Sequence, residues 1–239
     1  MIVYPICMST TAPLPDALSE HRLSAAKASK GRSSSVILHR VLEVASKYNL
    51  QGSVLDYGAG LGYLTRLLAA TSRFNTVSAA DILSRPADLP EEIAWFCLDL
   101  NQGSPLADAS FDAVISPEVI EHLENPREVA REWYRILKPG GRLILSTPNN
   151  ESLRSLVALI FRGHYASFGE RSYPAHITAL LRKDIQRILQ EAGFSQIAFE
   201  FTGAGVVPGI TTLSWQRVSG GLLKGCRFSD NVIATAVKG

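Results

Sequence analysis

The 239-residue sequence has only three cysteines, Cys7, Cys97 and Cys226, and they are far apart. That spacing makes neither a disulfide framework nor a metal cluster. With Cys97 read into a core strand, it points to a reduced, cytoplasmic protein. Charge is also sparse. Only 19% of residues are charged and the formal net charge is +2, so there is no one-signed field to hold a nucleic acid. Long hydrophobic runs are missing as well. No stretch approaches the roughly 20 apolar residues of a membrane span. The apolar Met1–Met8 lacks the basic segment that opens a signal peptide, so none is expected. No internal repeat is present, and the length suits one domain with a substantial core.

What is present is a short apolar strand that runs into an acid and three alternating glycines, Ser-Val-Leu-Asp-Tyr-Gly-Ala-Gly-Leu-Gly over residues 53–62. Without a Cβ, Gly58, Gly60 and Gly62 can take left-handed dihedrals and let a ligand touch the main chain. The helical composition of Tyr63–Ala70 places a helix N-terminus at the same crevice. This is the pattern of a nucleotide-type cofactor site. No Gly-Lys-Ser/Thr follows, which excludes a P-loop. Position 63 is Tyr where the dinucleotide fingerprint wants its third glycine. Asp56 would lie where a pyrophosphate sits, a poor place for an anion and a good one for a cation. S-adenosylmethionine, with a sulfonium and an ammonium and no phosphate, fits that electrostatics.

Asn75–Ala80 reads as a second strand ending at Asp81, about 25 positions after Asp56, where a carboxylate can accept both ribose hydroxyls. A third strand, Ile93–Leu98, ends in Asp99-Leu100, an acid for the adenine amine and an apolar neighbour for the ring. Phe111–Ile115 is a fourth strand that delivers Ser116-Pro117-Glu118 to the mouth of the crevice. Pro126–Leu137 is a helix, and the turn Lys138–Gly141 introduces a fifth strand, Arg142–Ser146. Such alternation argues for a doubly wound α/β sheet.

Four segments carry a resemblance to a known family: Val54-Leu-Asp-Tyr-Gly-Ala-Gly-Leu-Gly, Phe111-Asp-Ala-Val-Ile-Ser, Glu118-Val-Ile-Glu-His-Leu and Arg135-Ile-Leu-Lys-Pro-Gly-Gly-Arg-Leu-Ile-Leu-Ser-Thr-Pro-Asn. They resemble the motifs of class I S-adenosylmethionine-dependent methyltransferases, in particular the small-molecule branch that includes the ubiquinone-biosynthesis enzymes. The resemblance covers residues 36–150 well, then resumes weakly at 180–201 and 230–238. It implies a Rossmann-like α/β fold with a seven-stranded, mostly parallel sheet and an antiparallel last strand. It also implies that Asp56 and the glycines face the methionine part, Asp81 the ribose, and Asp99 and Leu100 the adenine. Tyr57, Ile82 and Ser116 complete the expected cofactor set.

The rest of the chain divides around that core. Residues 1–35 form an N-terminal lid or extension, with a turn-rich Thr10–Pro15, a helix over Asp16–Lys30 and a break at Gly31–Ser35. Val36–Tyr48 is an amphipathic helix that opens the cofactor-binding core, residues 36–150. Residues 151–177 are an insertion at the acceptor site, where Arg154, Arg162 and His164 lie among apolar residues. A helix over Thr178–Glu191 follows, burying Leu180, Leu181, Ile185, Ile188 and Leu189. The last strands are Gln196–Phe201 and Val232–Val237. Between them lies an apolar loop, 203–229, with no helix of its own evident, a length that suggests function.

Methyl transfer to oxygen needs a proton acceptor. His122 is the first candidate base and Glu121 its companion, with Glu118 behind them; no metal is expected. The expected acceptor is a small or lipid-linked molecule. The basic, apolar insertion fits an anionic or lipid-linked acceptor or a peripheral membrane contact, and the apolar loop at 203–229 fits a pocket wall, a homodimer contact or a membrane edge. Rival readings are a non-catalytic S-adenosylmethionine-binding protein on the same fold and a membrane-surface protein built on the apolar insertions. Group transfer from a decarboxylated donor is a third, disfavoured by the basic insertion.

Overall fold

A computed structural model describes residues 17–28 and 33–239. The readings made for Met1–Met8, Cys7 and Thr10–Pro15, and the first two residues of the Gly31–Ser35 break, lie outside the described residues.

Among the described residues, nine strands and seven α-helices follow in order: α1 (Ala17–Ala28), α2 (Ser35–Lys47), β1 (Gly52–Tyr57), α3 (Tyr63–Ala70), β2 (Phe74–Asp81), β3 (Ala94–Cys97), β4 (Phe111–Pro117), α4 (Pro126–Ile136), β5 (Leu137–Pro148), α5 (Leu153–Arg162), α6 (Arg182–Glu191), β6 (Phe194–Phe201), β7 (Val206–Val207), β8 (Ile210–Ser214), α7 (Trp215–Val218) and β9 (Asn231–Lys238). Seven strands form one sheet in the order β3-β2-β1-β4-β5-β9-β6, and β7 and β8 make a separate hairpin. The pairs from β3 through β5 are parallel, and β9 runs antiparallel to both its neighbours. This is the doubly wound, mostly parallel sheet the sequence predicts.

Side chains alternate faces along each strand, so neighbouring residues belong to opposite layers. Val54, Ala113, Ile115, Ile144 and Ile233 pack against α2 and α3. Leu55, Tyr57, Val114, Leu143 and Leu145 pack against α4 and α6, around the fully buried Trp133. The helices form where caps and spacing allow. The Ser34 side chain accepts from Ile37 N to start α2, whose Ile37, Leu38, Val41, Val44 and Ala45 are buried. Asn125 caps α4 with Pro126 in its first turn, a position where no N–H is needed.

Several expectations are corrected. The helix read as Thr178–Glu191 starts at Arg182, because Asp184 accepts from Leu181 N. Upstream, Ile177 N and Thr178 N are taken by the Glu121 carbonyl, and Leu181 is left exposed rather than buried. The loop at 203–229 does carry structure, the β7–β8 hairpin and α7, closed by the Trp215–Phe228 ring contact. Cys97 is exposed on the edge strand β3, not in the core. No helix among the described residues is long and apolar enough to cross a membrane.

Candidate active site

Strand order reverses between β1 and β4, and a crevice of about 440 Å³ opens there at the carboxyl ends of β1, β2, β3 and β4. The glycine turn after β1 forms one wall. Gly58 has a φ of 86°, and a Cβ there would lie 2.2 Å from the Val119 side chain, so only glycine lets the main chain lie this close.

Three aspartates mark the donor end of the crevice. Asp56 is fully buried; its Oδ2 accepts from Thr65 Oγ1 at 2.6 Å, and its Oδ1 has no protein partner. Burial, with a smaller push from Asp81, raises its carboxyl to about 7. Asp81 accepts from Gly60 N at 2.7 Å and Leu83 N at 2.8 Å, which ties the tip of β2 to the glycine turn, and burial raises its pKa above the usual range. Asp99 accepts from Asn101 N at 3.0 Å and pairs with Arg22 at 2.7 Å. Ile82 and Leu100 line the crevice between these acids, as do Gly58 and Gly60.

Four residues expected at the site lie elsewhere. The Tyr57 side chain is buried in the opposite layer, edge-on to Trp133 at 5.8 Å. Ser116 is fully buried and donates to the Tyr57 carbonyl at 2.9 Å, which braces β4 against β1. Gly62 caps α3 and faces Arg66, not the crevice. Glu121 does not line the crevice; it is fully buried behind it, with Oε2 accepting from Thr147 and Oε1 unpartnered. Tyr57 and Ser116 follow from strand alternation, because each sits one residue past a side chain facing the other layer.

At the other end of the crevice, Glu118 holds a positive φ of 56° and accepts from Ser146 Oγ at 2.9 Å and Asn231 Nδ2 at 3.0 Å. Burial and the neighbouring Glu121 raise its pKa, and burial raises that of Glu121. His122 lines the crevice with Nδ1 at 2.7 Å from the Ala175 carbonyl. A carbonyl only accepts, so Nδ1 carries the proton and Nε2 keeps its lone pair. Burial lowers the pKa of His122 and holds the ring neutral. His176, from the end of the insertion, lies against it with ring centroids 4.8 Å apart, its own Nδ1 at 2.7 Å from Ser167 O. Ligand atoms of Glu121, His122 and His176 fall within 4.8 Å of one another.

The basic residues of the insertion are not part of this wall. Arg154 pairs with Asp230 at 2.8 Å, and Arg162 and His164 are absent from the lining. Pro174, His176 and Ile177 line the crevice instead. Sequence reasoning missed Arg22. From α1 it reaches Asp99 and Glu124, at 2.7 and 2.8 Å, and closes the adenine end. Only its place on the expected lid helix could have pointed to it.

Comparison with known proteins agrees with this architecture. Residues 29–198 match the profile of a methyltransferase domain. A bifunctional biotin-biosynthesis protein of Teredinibacter turnerae is 30% identical over 164 residues, covering 62% of this chain and 27% of that protein. A ubiquinone biosynthesis O-methyltransferase of Idiomarina loihiensis is 24% identical over 153 residues, covering 61% of this chain and 62% of the relative. The chain therefore spans less than two thirds of the length of either. The crystal structure of an S-adenosylmethionine-dependent methyltransferase from Thermotoga maritima superposes with a TM-score of 0.61 at 16% identity, covering 92% of this chain and 94% of the other.

Proposed function

This chain belongs to the class I S-adenosylmethionine-dependent methyltransferases, enzymes whose methyl donor is S-adenosylmethionine, and on that premise we propose that it methylates a small or lipid-linked acceptor at oxygen. The residues present fit the donor. A buried carboxyl with one orphaned oxygen suits a cationic ligand, and the Gly58 cradle is space that any Cβ would fill. In this reading Asp56 Oδ1 takes the positive methionine end, Asp81 the ribose hydroxyls, and Ile82 and Leu100 the faces of the adenine. Asp99 accepts from the adenine amine beside its bond to Arg22. When bound, the donor supplies an electrophilic methyl on a positively charged sulfur.

The protein's task is then to orient an acceptor oxygen and remove its proton. Holding two reactants in line is worth roughly 7–11 kcal/mol of barrier, so few reactive groups are needed. The acceptor end is the His122–His176 pair. The lone pair on His122 Nε2 serves deprotonation, either directly as a base or through an ion it binds. An oxygen acceptor is supported by this neutral imidazole and by the named activity of the ubiquinone O-methyltransferase relative. Lipid linkage and contact with a membrane surface are supported by Ile160, Phe161 and Leu222, which are 75%, 81% and 86% exposed.

The orphaned Asp56 oxygen in a crevice ringed by Asp81 and Asp99 is the observation that carries the reading. Calorimetric titration with S-adenosylmethionine and its demethylated product, followed by label transfer to phenolic, carboxylic and amine acceptors, tests it. Tight donor binding with transfer to the oxygen acceptors is expected. Transfer to amines alone would overturn the choice of atom, and cofactor-independent co-sedimentation with liposomes would support the surface contact.

A further inference from the structure

A base that removes one proton needs one imidazole. The acceptor end holds two, with a carboxylate behind them, and the chain takes trouble to keep the three together. The Glu121 carbonyl accepts from Ile177 N at 3.0 Å and Thr178 N at 2.9 Å, and Thr178 Oγ1 donates to Leu123 O at 2.5 Å. These bonds dock the segment carrying His176 onto the turn carrying Glu121 and His122, although more than fifty positions separate them in sequence.

Each imidazole is also oriented in one way. Both Nδ1 atoms meet backbone carbonyls at 2.7 Å, Ala175 O for His122 and Ser167 O for His176, which leaves Nε2 as the lone-pair atom on each ring. A metal-binding histidine is usually held like this, its other nitrogen donating to a carbonyl that fixes tautomer and rotation. The carboxylate is prepared in the same sense. Glu121 Oε2 is fixed by Thr147 Oγ1 at 3.1 Å, while Oε1 is buried with no partner, a costly arrangement unless something positive meets it. One ligand atom from each of the three residues lies within 4.8 Å of the others.

We propose that Glu121, His122 and His176 bind a divalent transition-metal ion whose remaining coordination positions open to the acceptor. Two imidazole nitrogens and one carboxylate oxygen suit zinc, cobalt, iron or manganese better than magnesium, which prefers an all-oxygen shell. Three protein ligands with positions left over is the arrangement of a catalytic rather than a structural site. The role of the ion rests on the proposed transfer to oxygen. The acceptor hydroxyl coordinates through oxygen, its O–H bond breaks, the proton passes to water, and the electron pair stays on oxygen beside the ion. His122 is then a ligand and not a base, and Glu121 acts although it does not line the crevice.

The experiment uses the full chain stripped with a chelator and dialysed separately against zinc, cobalt and magnesium salts, with no donor or acceptor present. Retention of a single zinc or cobalt ion per chain is expected, with a visible cobalt spectrum of mixed nitrogen and oxygen ligation and no retention of magnesium. His176→Ala and Glu121→Gln should each weaken zinc retention by more than roughly tenfold while donor titration stays intact, which also reports a folded chain. If the buried Glu121→Gln change fails to fold, His176→Ala on its loop decides alone. A stripped chain that takes up no ion, or uptake unchanged by His176→Ala, overturns the proposal. Because donor binding is read without metal and metal uptake without donor, a failure of this site and a failure of the methyltransferase reading give different results.

Discussion

At the amino-terminal edge of the sheet, Asp112 accepts from Ser53 N, Ser53 Oγ and Lys138 Nζ, all within 2.8 Å. At the carboxyl edge, on the neighbouring strand, Asp56 has one hydroxyl for a partner and a bare second oxygen. The two acids titrate in opposite senses. Asp112 is held below the usual carboxylate range, its burial outweighed by the Lys138 and Ser53 bonds, and Asp56 is pushed up by burial to about 7. At these two acids the sheet therefore finishes its polar contacts at one edge and leaves one oxygen open at the other. Backbone strain does not follow that division: Asn49, Ser72 and Ala109 hold positive φ in the loops that enter β1, β2 and β4, as Gly58 and Glu118 do at the open edge. A saturated acid holds the fold together, while an acid left wanting costs stability until a ligand completes it.

The sharpest way to break this contrast is at Asp81, which bridges the glycine turn and the proposed ribose position. Asp81→Ala removes two charge-assisted bonds to the sugar, each worth about 1.5–3 kcal/mol. Donor affinity in calorimetry should fall by a hundredfold or more. Affinity unchanged by that substitution would place the ribose elsewhere. Next in size is His122→Ala. A group that removes the acceptor proton, directly or by holding an ion, contributes roughly 10²–10⁴ in rate. Turnover at saturating acceptor should drop by that order while donor affinity holds, and unchanged turnover would remove His122 from the chemistry.

Asp56 sharpens the comparison because its two effects have opposite signs. An unfolded aspartate loses its proton near 3.8 and the folded one only near 7, so between those values the native state holds a proton that the unfolded chain has released. Stability therefore declines as pH rises through that window, and the full cost is present above it. Asp56→Asn should raise the melting temperature at pH 8 yet leave it nearly unchanged at pH 4, while weakening the donor. A cationic donor favours the ionised carboxyl, so affinity in the unmodified chain should rise with pH between about 6 and 8. A flat profile there would mean that the positive end of the donor lies away from Asp56.

Much of the open edge was legible in advance because it is local. An acid at a strand tip, a glycine turn and the next helix lie within a dozen residues, Asp81 ends β2 in the same way, and Asp99 follows two residues after the end of β3. What escaped the sequence was direction and distance. Tyr57 and Ser116 were assigned to the cofactor by adjacency, yet alternation along β1 and β4 sends each to the other layer, a rule that Leu55 and Val114 already obey. Glu121 was expected at the mouth because its neighbour His122 is there, but the short 3₁₀ turn over Ile120–His122 leaves Glu121 fully buried behind the wall that His122 lines. Arg22 meets the site only after a long excursion of chain, and no local pattern measures that. The exposure of Cys97 depends on β3 being an edge strand, a property of strand order and not of composition.

The smallest expected effect tests the closed edge. The Asp112 side chain is 38% exposed and that of Lys138 41%, so screening reduces their ion pair to a contribution of about 1 kcal/mol or less. The bonds from Ser53 add something comparable by holding the start of β1 against β4. Its folded pKa is depressed below the unfolded value of 3.8, so the stability it contributes is fully present above that value and is lost as pH falls through the folded pKa. Asp112→Asn should lower stability by about 1 kcal/mol at pH 7 and converge with the parent chain toward pH 2, with donor affinity unchanged throughout. The contrast with Asp56 lies in the sign. Neutralising the satisfied acid weakens the fold and spares the ligand, whereas neutralising the unsatisfied acid strengthens the fold and weakens the ligand. Equal signs in the two melting experiments at neutral pH would show that the edges of the sheet differ in geometry alone and not in what their carboxylates are for.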